Sequence, residues 1–286
     1  MQKIRRTFNK NGRRIGVNMS YQKIIHLSDL HISTKSKPEV HKFNKLVLAI
    51  SRYYPGTPVL ITGDITDSAT KPQMELAREY IKKLAETNLV LCVPGNHDYG
   101  ALGNFHRWAA PEQWTKLLGT PFIPGVLFEY PWMTKKSNLN IEGLGVYEYN
   151  DCVFIGVDSG DPTNKVRMAR GIITTKLAIS LKDTLEKYKD KIRVVFLHHH
   201  PFTDDLFMEL RGSNKLMAAL KNNCEVLLFG HKHNIGAWWY HKDIPLTLAC
   251  HKSTRGVSGN KILMGVIEII GNKNKELKFE HSIKIV

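Results

Sequence analysis

The chain has 286 residues, 42% of them hydrophobic and 23% charged, a balance that permits a sizeable core and fits one large α/β domain. No run of about 18 apolar residues occurs and no secretory apolar segment is present, so a transmembrane helix is excluded and a cytoplasmic location is expected. The formal charge of +15 favours an anionic partner, and Cys92, Cys152, Cys224 and Cys250, scattered through apolar runs without CxxC spacing, read as small core residues of a reducing compartment rather than a zinc site.

Residues 1–20 carry Lys3, Arg5, Arg6, Lys10, Arg13 and Arg14, no acid and little apolar periodicity. They read as a disordered basic arm suited to an anionic membrane surface or nucleic acid, outside a single domain over 21–286. Met19 offers an alternative start just before the first strand. Residues 23–28 (KIIHLS) read as a strand that runs into Asp29-Leu30-His31. At period two, Asp29 and His31 share a side and make a metal half-site. A helix is expected over 38–52, opened by Pro38, with Val40, Phe43, Leu46, Val47 and Ile50 on its apolar side. A second strand, 58–62, ends in Gly63-Asp64-Ile65-Thr66-Asp67. Asp64 is the carboxylate to place between two metals, and Asp67 a residue that orients a ligand or caps a helix. A helix over 72–86 follows, then an apolar strand over 89–93 stopped by Pro94-Gly95 and tipped by Asn96, His97 and Asp98.

The βαβαβ rhythm breaks at about 101–140, an insert rich in aromatics and prolines, read as a helix over 104–118 followed by a lid or hairpin. Strands are expected at 141–149 and 152–157, the second closed by a structural Asp158, and a helix at 172–188. The apolar strand 192–197 runs into His198-His199-His200-Pro201. A helix is expected at 205–220, and a strand at 226–229 ends in Gly230-His231-Lys232-His233. From Gly236 onward the pattern is hairpin-like. Ligands of an open α/β sheet bind at such C-terminal strand tips. Five tips therefore supply carboxylates, an amide and imidazoles, a two-metal inventory without thiolates.

In their order, DLH, GDITD, GNHD, HHHP and GHKH resemble the calcineurin-like metallophosphoesterase superfamily, and SDLHIS, ITGDITD and VPGNHD are most similar to its class III cyclic-nucleotide phosphodiesterase branch. The resemblance implies two packed mixed β-sheets flanked by helices, a four-layer sandwich. It implies one metal on Asp29, His31, Asp64 and His233, and another on Asp64, Asn96, His231 and a histidine of the triplet. The family's histidine stands two residues before a proline, which selects His199, with His198 and His200 left open by the register. Mn, Fe and Zn all suit these ligands. His97 then serves as general acid, with Asp98 fixing its ring.

The implied activity is a metal-dependent phosphoesterase, foremost a phosphodiesterase that attacks a small anionic phosphodiester with hydroxide generated at the two metals. The alternatives are a pyrophosphatase of the UDP-2,3-diacylglucosamine type working at the membrane surface, a DNA nuclease, and last a scaffold that kept the fold without catalysis. The presence of Asp64, Asn96 and His97 argues against the scaffold.

Overall fold

The apolar runs of the N-terminal half are buried on both faces, as strands of a parallel sheet sandwiched between other layers must be. The computed structural model describes residues 20–35, 37–101, 105–106, 109–119, 121–125, 133–134, 143–161, 169–254, 262–271 and 277–286, with the short pair 7–8 and 14–15. The first half runs β1 (Ser20–Leu27), α1 (Lys37–Tyr53), β2 (Val59–Thr62), α2 (Lys71–Ala85) and β3 (Val90–Val93). Next come α3 (Ala110–Leu117), β4 (Met133–Thr134), β5 (Leu144–Tyr149), β6 (Cys152–Val157), α4 (Thr175–Lys187) and β7 (Ile192–Phe196). Then follow α5 (Ser213–Leu220), β8 (Val226–Phe229), β9 (Gly236–His241), β10 (Ile244–Ala249), β11 (Leu263–Gly271) and β12 (Lys278–Ile285).

These strands form two principal mixed sheets. One has the order β12-β11-β1-β2-β3, the other β9-β10-β8-β7-β6-β5-β4. In the first, β1, β2 and β3 are parallel, with Ile25 opposite Val59 and Val59 opposite Val90. In the second, β6, β7, β8 and β10 are parallel. Side chains alternate along these strands. Phe154, Val194, Phe196, Val226, Leu228, Leu246 and Leu248 join the core shared with the first sheet. Val153, Ile155, Val195, Leu197, Leu227 and Phe229 join a second core with Leu181 and Leu185 of α4 and Leu216 and Leu220 of α5. On the far side of the first sheet, Phe43, Leu46 and Ile50 of α1 and Met74, Ala77 and Ile81 of α2 complete the expected sandwich. All four cysteines are buried and free. No helix among the described residues is long and apolar enough to cross a membrane.

Three expectations shift. The helix expected over 104–118 is Ala110–Leu117, opened by Pro111 at its first turn; most of the aromatic-rich insert lies outside the described residues. The helix expected over 205–220 is only Ser213–Leu220. Gly212, at φ 76°, turns the chain just before it, and Leu210–Arg211 pairs instead with Gly171–Ile172. Of residues 1–20, Thr7–Phe8 pairs with Arg14–Ile15 and Ser20 opens β1, while the others lie outside the described residues.

Adjacent β7 and β8 are tied by a nearly buried ion pair. The Glu225 carboxylate accepts from the Arg193 backbone N–H (2.7 Å), Nε (3.1 Å) and Nη2 (2.7 Å). Removing one partner of such a pair strands the other charge away from water. Glu225→Ala should therefore lower the unfolding free energy by about 3 kcal/mol in a urea titration. A loss of only a few tenths would mean that water reaches Arg193.

Candidate metal centre and active site

The carboxylates and imidazoles at the strand tips do not continue the strands. Asp29 (φ 53°), His31 (47°), Asp64 (50°), His231 (77°) and His233 (55°) all adopt left-handed backbone conformations. They are five of the eleven non-glycine residues described with positive φ, so strain is concentrated here. Each costs of order 1–3 kcal/mol unless its surroundings impose it. Strand periodicity therefore does not bring Asp29 to His31, or His231 to His233; loop conformation does. Backbone bonds impose it. The Asp29 N–H donates to the Gly63 carbonyl (3.0 Å), and that of His31 to the Asp64 carbonyl (2.9 Å). Close approach also dictates two glycines. A Cβ on Gly95 would overlap the Asp64 carboxylate, and one on Gly230 would overlap Ser28 Oγ.

Asp29, His31 and His233 gather ligand atoms at one point, and Asp29, Asp64 and His198 at another. At the first, His233 Nε2 lies 3.2 Å from Asp29 Oδ1. Asp64 Oδ2, in the second group, lies 3.3 Å from His198 Nε2 and also 3.8 Å from His31 Nε2 of the first. His198 Nδ1 donates to the Thr62 carbonyl (2.7 Å). In the neutral ring, its Nε2 lone pair then faces Asp64 Oδ2, Asn96 Oδ1 (3.0 Å) and His231 Nδ1 (3.1 Å). Against the two oxygens of that set, a proton on His198 Nε2 or a metal ion is the favourable occupant. His31 Nε2 and His231 Nε2 are buried without a hydrogen-bond partner among the described residues. Both observations fit residues built to hold metal.

The electrostatics agree. Burial opposes ionisation of Asp29, but the His233 hydrogen bond and the His198 charge outweigh it and hold the carboxyl well below its usual range. Asp64 is likewise held down against burial by the charges of His198 and His97. Burial disfavours a charge on His198 too, yet Asp64 lifts its pKa to about 9. A proton on His198 is thus the counter-ion that two buried carboxylates demand, and a metal would displace it. Burial lowers His31, and burial with the His198 charge lowers His231 to about 3, keeping both imidazoles neutral and available as ligands.

Of the triplet, it is His198 that reaches Asp64 and Asn96, where the proline spacing had pointed to His199. His199 Nδ1 meets Ser159 Oγ (2.8 Å). His200 packs among Phe202, Phe229 and Trp238. The expected role of Asp98 also moves. His97 donates its backbone N–H to Asp64 Oδ1 (2.9 Å), and its Nδ1 to the carbonyl of Asp67 (2.7 Å), not to Asp98. The Asp67 carboxylate meanwhile faces His31 Nδ1 (3.6 Å), so Asp67 orients both rings. Fully buried Asp98 accepts from the N–H groups of Ile65 (3.1 Å), Thr66 (2.8 Å) and Gly95 (3.0 Å) and from Thr66 Oγ1 (2.9 Å). It locks the β2 tip to the β3 tip. Burial and the Asp64 charge raise its pKa to about 6 against these donors. Asp158 is structural, as expected: it accepts from the Tyr99 hydroxyl (2.7 Å) and the Gly160 N–H (2.9 Å).

Residues 22–234 match the family model described as calcineurin-like phosphoesterase. The chain belongs to that family. It is a metallophosphoesterase, a hydrolase acting on phosphoester bonds. It is 28% identical, over 79% of its length and 77% of the other, to a probable glycerophosphodiester phosphodiesterase of Arcobacter nitrofigilis. It is 26% identical, over 74% and 76%, to a probable cyclic nucleotide phosphodiesterase of Coxiella burnetii. Its fold is similar to that of the calcineurin-like phosphoesterase YfkN from Bacillus subtilis, with a TM-score of 0.54 at 12% identity, covering 93% of this chain and 91% of that one.

Asp98→Ala would orphan three buried N–H donors and a hydroxyl. The expected loss, measured by denaturant unfolding, is at least about 3 kcal/mol, accompanied by loss of activity because the Asp64 loop is freed. A stable, inactive Asp98→Ala protein would instead assign the carboxylate to the chemistry.

Proposed function

We propose that the protein is a two-metal phosphodiesterase for small phosphodiesters, with Asp64 bridging the ions. The observation that carries this reading is that Asp64 Oδ2 reaches a ring nitrogen of both ligand groups, His198 Nε2 of its own group at 3.3 Å and His31 Nε2 of the other at 3.8 Å. Asp29, His31, Asp64 and His233 would hold one ion, and Asp64, Asn96, His198 and His231 the other. Ions in such a site, whether Mn, Fe or Zn, supply Lewis-acid stabilisation of phosphoryl oxygens and a nucleophilic water at neutral pH. Asn96 contributes an oxygen without charge, which keeps its ion more electrophilic than a third carboxylate would. The ligands come from both sheets, which supports a single domain over 21–286.

His97 delivers the proton. Its Nδ1–H is engaged by the Asp67 carbonyl, so in the imidazolium form the Nε2–H is the proton passed to the leaving alkoxide, which leaves the ring neutral. The His97 backbone N–H meanwhile steadies the bridging carboxylate. Phosphodiester specificity is supported by the similarity to a probable glycerophosphodiester phosphodiesterase and a probable cyclic nucleotide phosphodiesterase.

The direct test is turnover of a glycerophosphodiester, cyclic nucleotides and bis-p-nitrophenyl phosphate by Mn-loaded protein; loaded protein that cleaves none of them would reject the reading. Asp64→Ala should lose both ions, measured by elemental analysis, and nearly all activity. His198→Ala should lose an ion that His199→Ala keeps; the reverse would restore His199 as the ligand. His97→Ala should retain metal. It should lose about 10²–10⁴-fold on an alkyl or nucleotide ester but far less on an aryl ester, whose phenolate leaves without protonation. Equal losses on both would make His97 a stabiliser of phosphoryl charge instead.

A further inference from the structure

His199, next to the ligand His198, is also fully buried. Its backbone N–H donates to Ser159 Oγ (3.3 Å), and its Nδ1 lies 2.8 Å from the same oxygen. Gly171 closes on the ring so tightly that a Cβ there would overlap it. The remaining ring nitrogen, His199 Nε2, is buried and has no hydrogen-bond partner among the described residues; the same is true of His231 Nε2. These two rings are neighbours, with centroids 4.7 Å apart. That separation allows a hydrogen bond between imidazoles. His198 and His231, with centroids 4.9 Å apart, bring Nε2 and Nδ1 to 3.1 Å.

The placement of protons decides what the two nitrogens do. His231 Nδ1 faces His198 Nε2, which also faces Asp64 and Asn96. An ion held by that set takes Nδ1 of His231, and the neutral ring then carries its proton on Nε2. A buried N–H left without an acceptor is costly. On the other ring, the Ser159 hydroxyl oxygen has two lone pairs, enough to accept both the His199 backbone N–H and its Nδ1–H. That tautomer leaves a lone pair on His199 Nε2. The opposite tautomer would set two N–H groups against each other. A histidine bound to metal gives its other N–H to a fixed acceptor, which sets its tautomer and strengthens it as a ligand. We propose that His199 is a positioning residue of the metal centre, its Nε2 accepting the Nε2–H of His231. His198 thus binds the ion directly, and His199 acts on the same ion through His231. This rests on the two-metal phosphodiesterase reading.

The test uses full-length protein loaded with zinc, whose filled d shell leaves NMR signals of the site visible. Nitrogen NMR reads the tautomer of each imidazole, and competition with a chelating dye reads the Kd of each ion. In wild-type protein, His199 should be protonated on Nδ1 and His231 on Nε2. His199→Leu should still bind two ions at saturating zinc, one of them about 10–100-fold more weakly. His199→Gln, whose side-chain carbonyl can take the place of Nε2 as acceptor, should recover most of that loss. A proton on His199 Nε2 overturns the proposal. So does an unchanged zinc Kd in His199→Leu, or a glutamine variant no better than leucine, since the ring would then serve packing alone. Loss of an ion from both variants at saturating zinc also overturns it, by making His199 a ligand. The tautomers are read in wild-type protein, so they decide even if His199→Leu does not fold. Wild-type protein that holds two zinc ions with these tautomers yet cleaves no diester would reject the phosphodiesterase reading alone.

Discussion

Asp29 and Asp64 are buried carboxylates in one small site, and the surrounding structure is arranged around that cost. Each ion taken from water costs several kcal/mol unless it is compensated. Compensation comes from His198, His233 and the neighbouring backbone donors, which keep both carboxylates ionised despite burial. The centre is therefore negative before any metal arrives, with a proton on His198 as its provisional cation. A metal ion held by these residues would replace that proton.

Holding such a centre requires rigid loops, because its ligands sit in strained conformations. The two sheets divide the work. The first supplies Asp29, Asp64 and Asn96 from adjacent parallel strand tips, and the second supplies His198 and His231. Links across the sheets join them: the His231 N–H on Asp29 (3.2 Å), His198 Nδ1 on the Thr62 carbonyl, and the Ser253–Ser28 pair. Within the first sheet, Asp98 gathers four donors from two loops. The left-handed residues are thus held from several directions, as strain at a functional site requires.

The same geometry separates two tasks. The nitrogens that face the carboxylates are the candidate metal ligands, whereas His97 turns its Nδ1 to the Asp67 carbonyl. Asp67 meets His31 through its side chain and His97 through its main chain. It therefore sets both rings from one position, the last residue of GDITD.

The sequence alone carried much of this. Five polar tips on apolar strands, in family order, pointed to the fold family and to metal chemistry and singled out Asp29, His31, Asp64, Asn96, His97, His231 and His233 as candidates, because ligand type and strand ends are local properties. It could not phase the triplet. Residues 192–196 are buried on both faces, so their apolar run carries no mark of which side His198 takes. It could not divide the C-terminal hairpins either: β9 and β10 extend one sheet while β11 and β12 complete the other, and nothing local to these strands marks which sheet each joins. Asp98 looked like a partner of the adjacent His97, but its four donors lie on loops distant in sequence or folded back upon it. Which sheet a strand joins, which histidine of three turns inward and which donors a buried carboxylate collects are set by long-range packing. Only the folded chain brings those groups together.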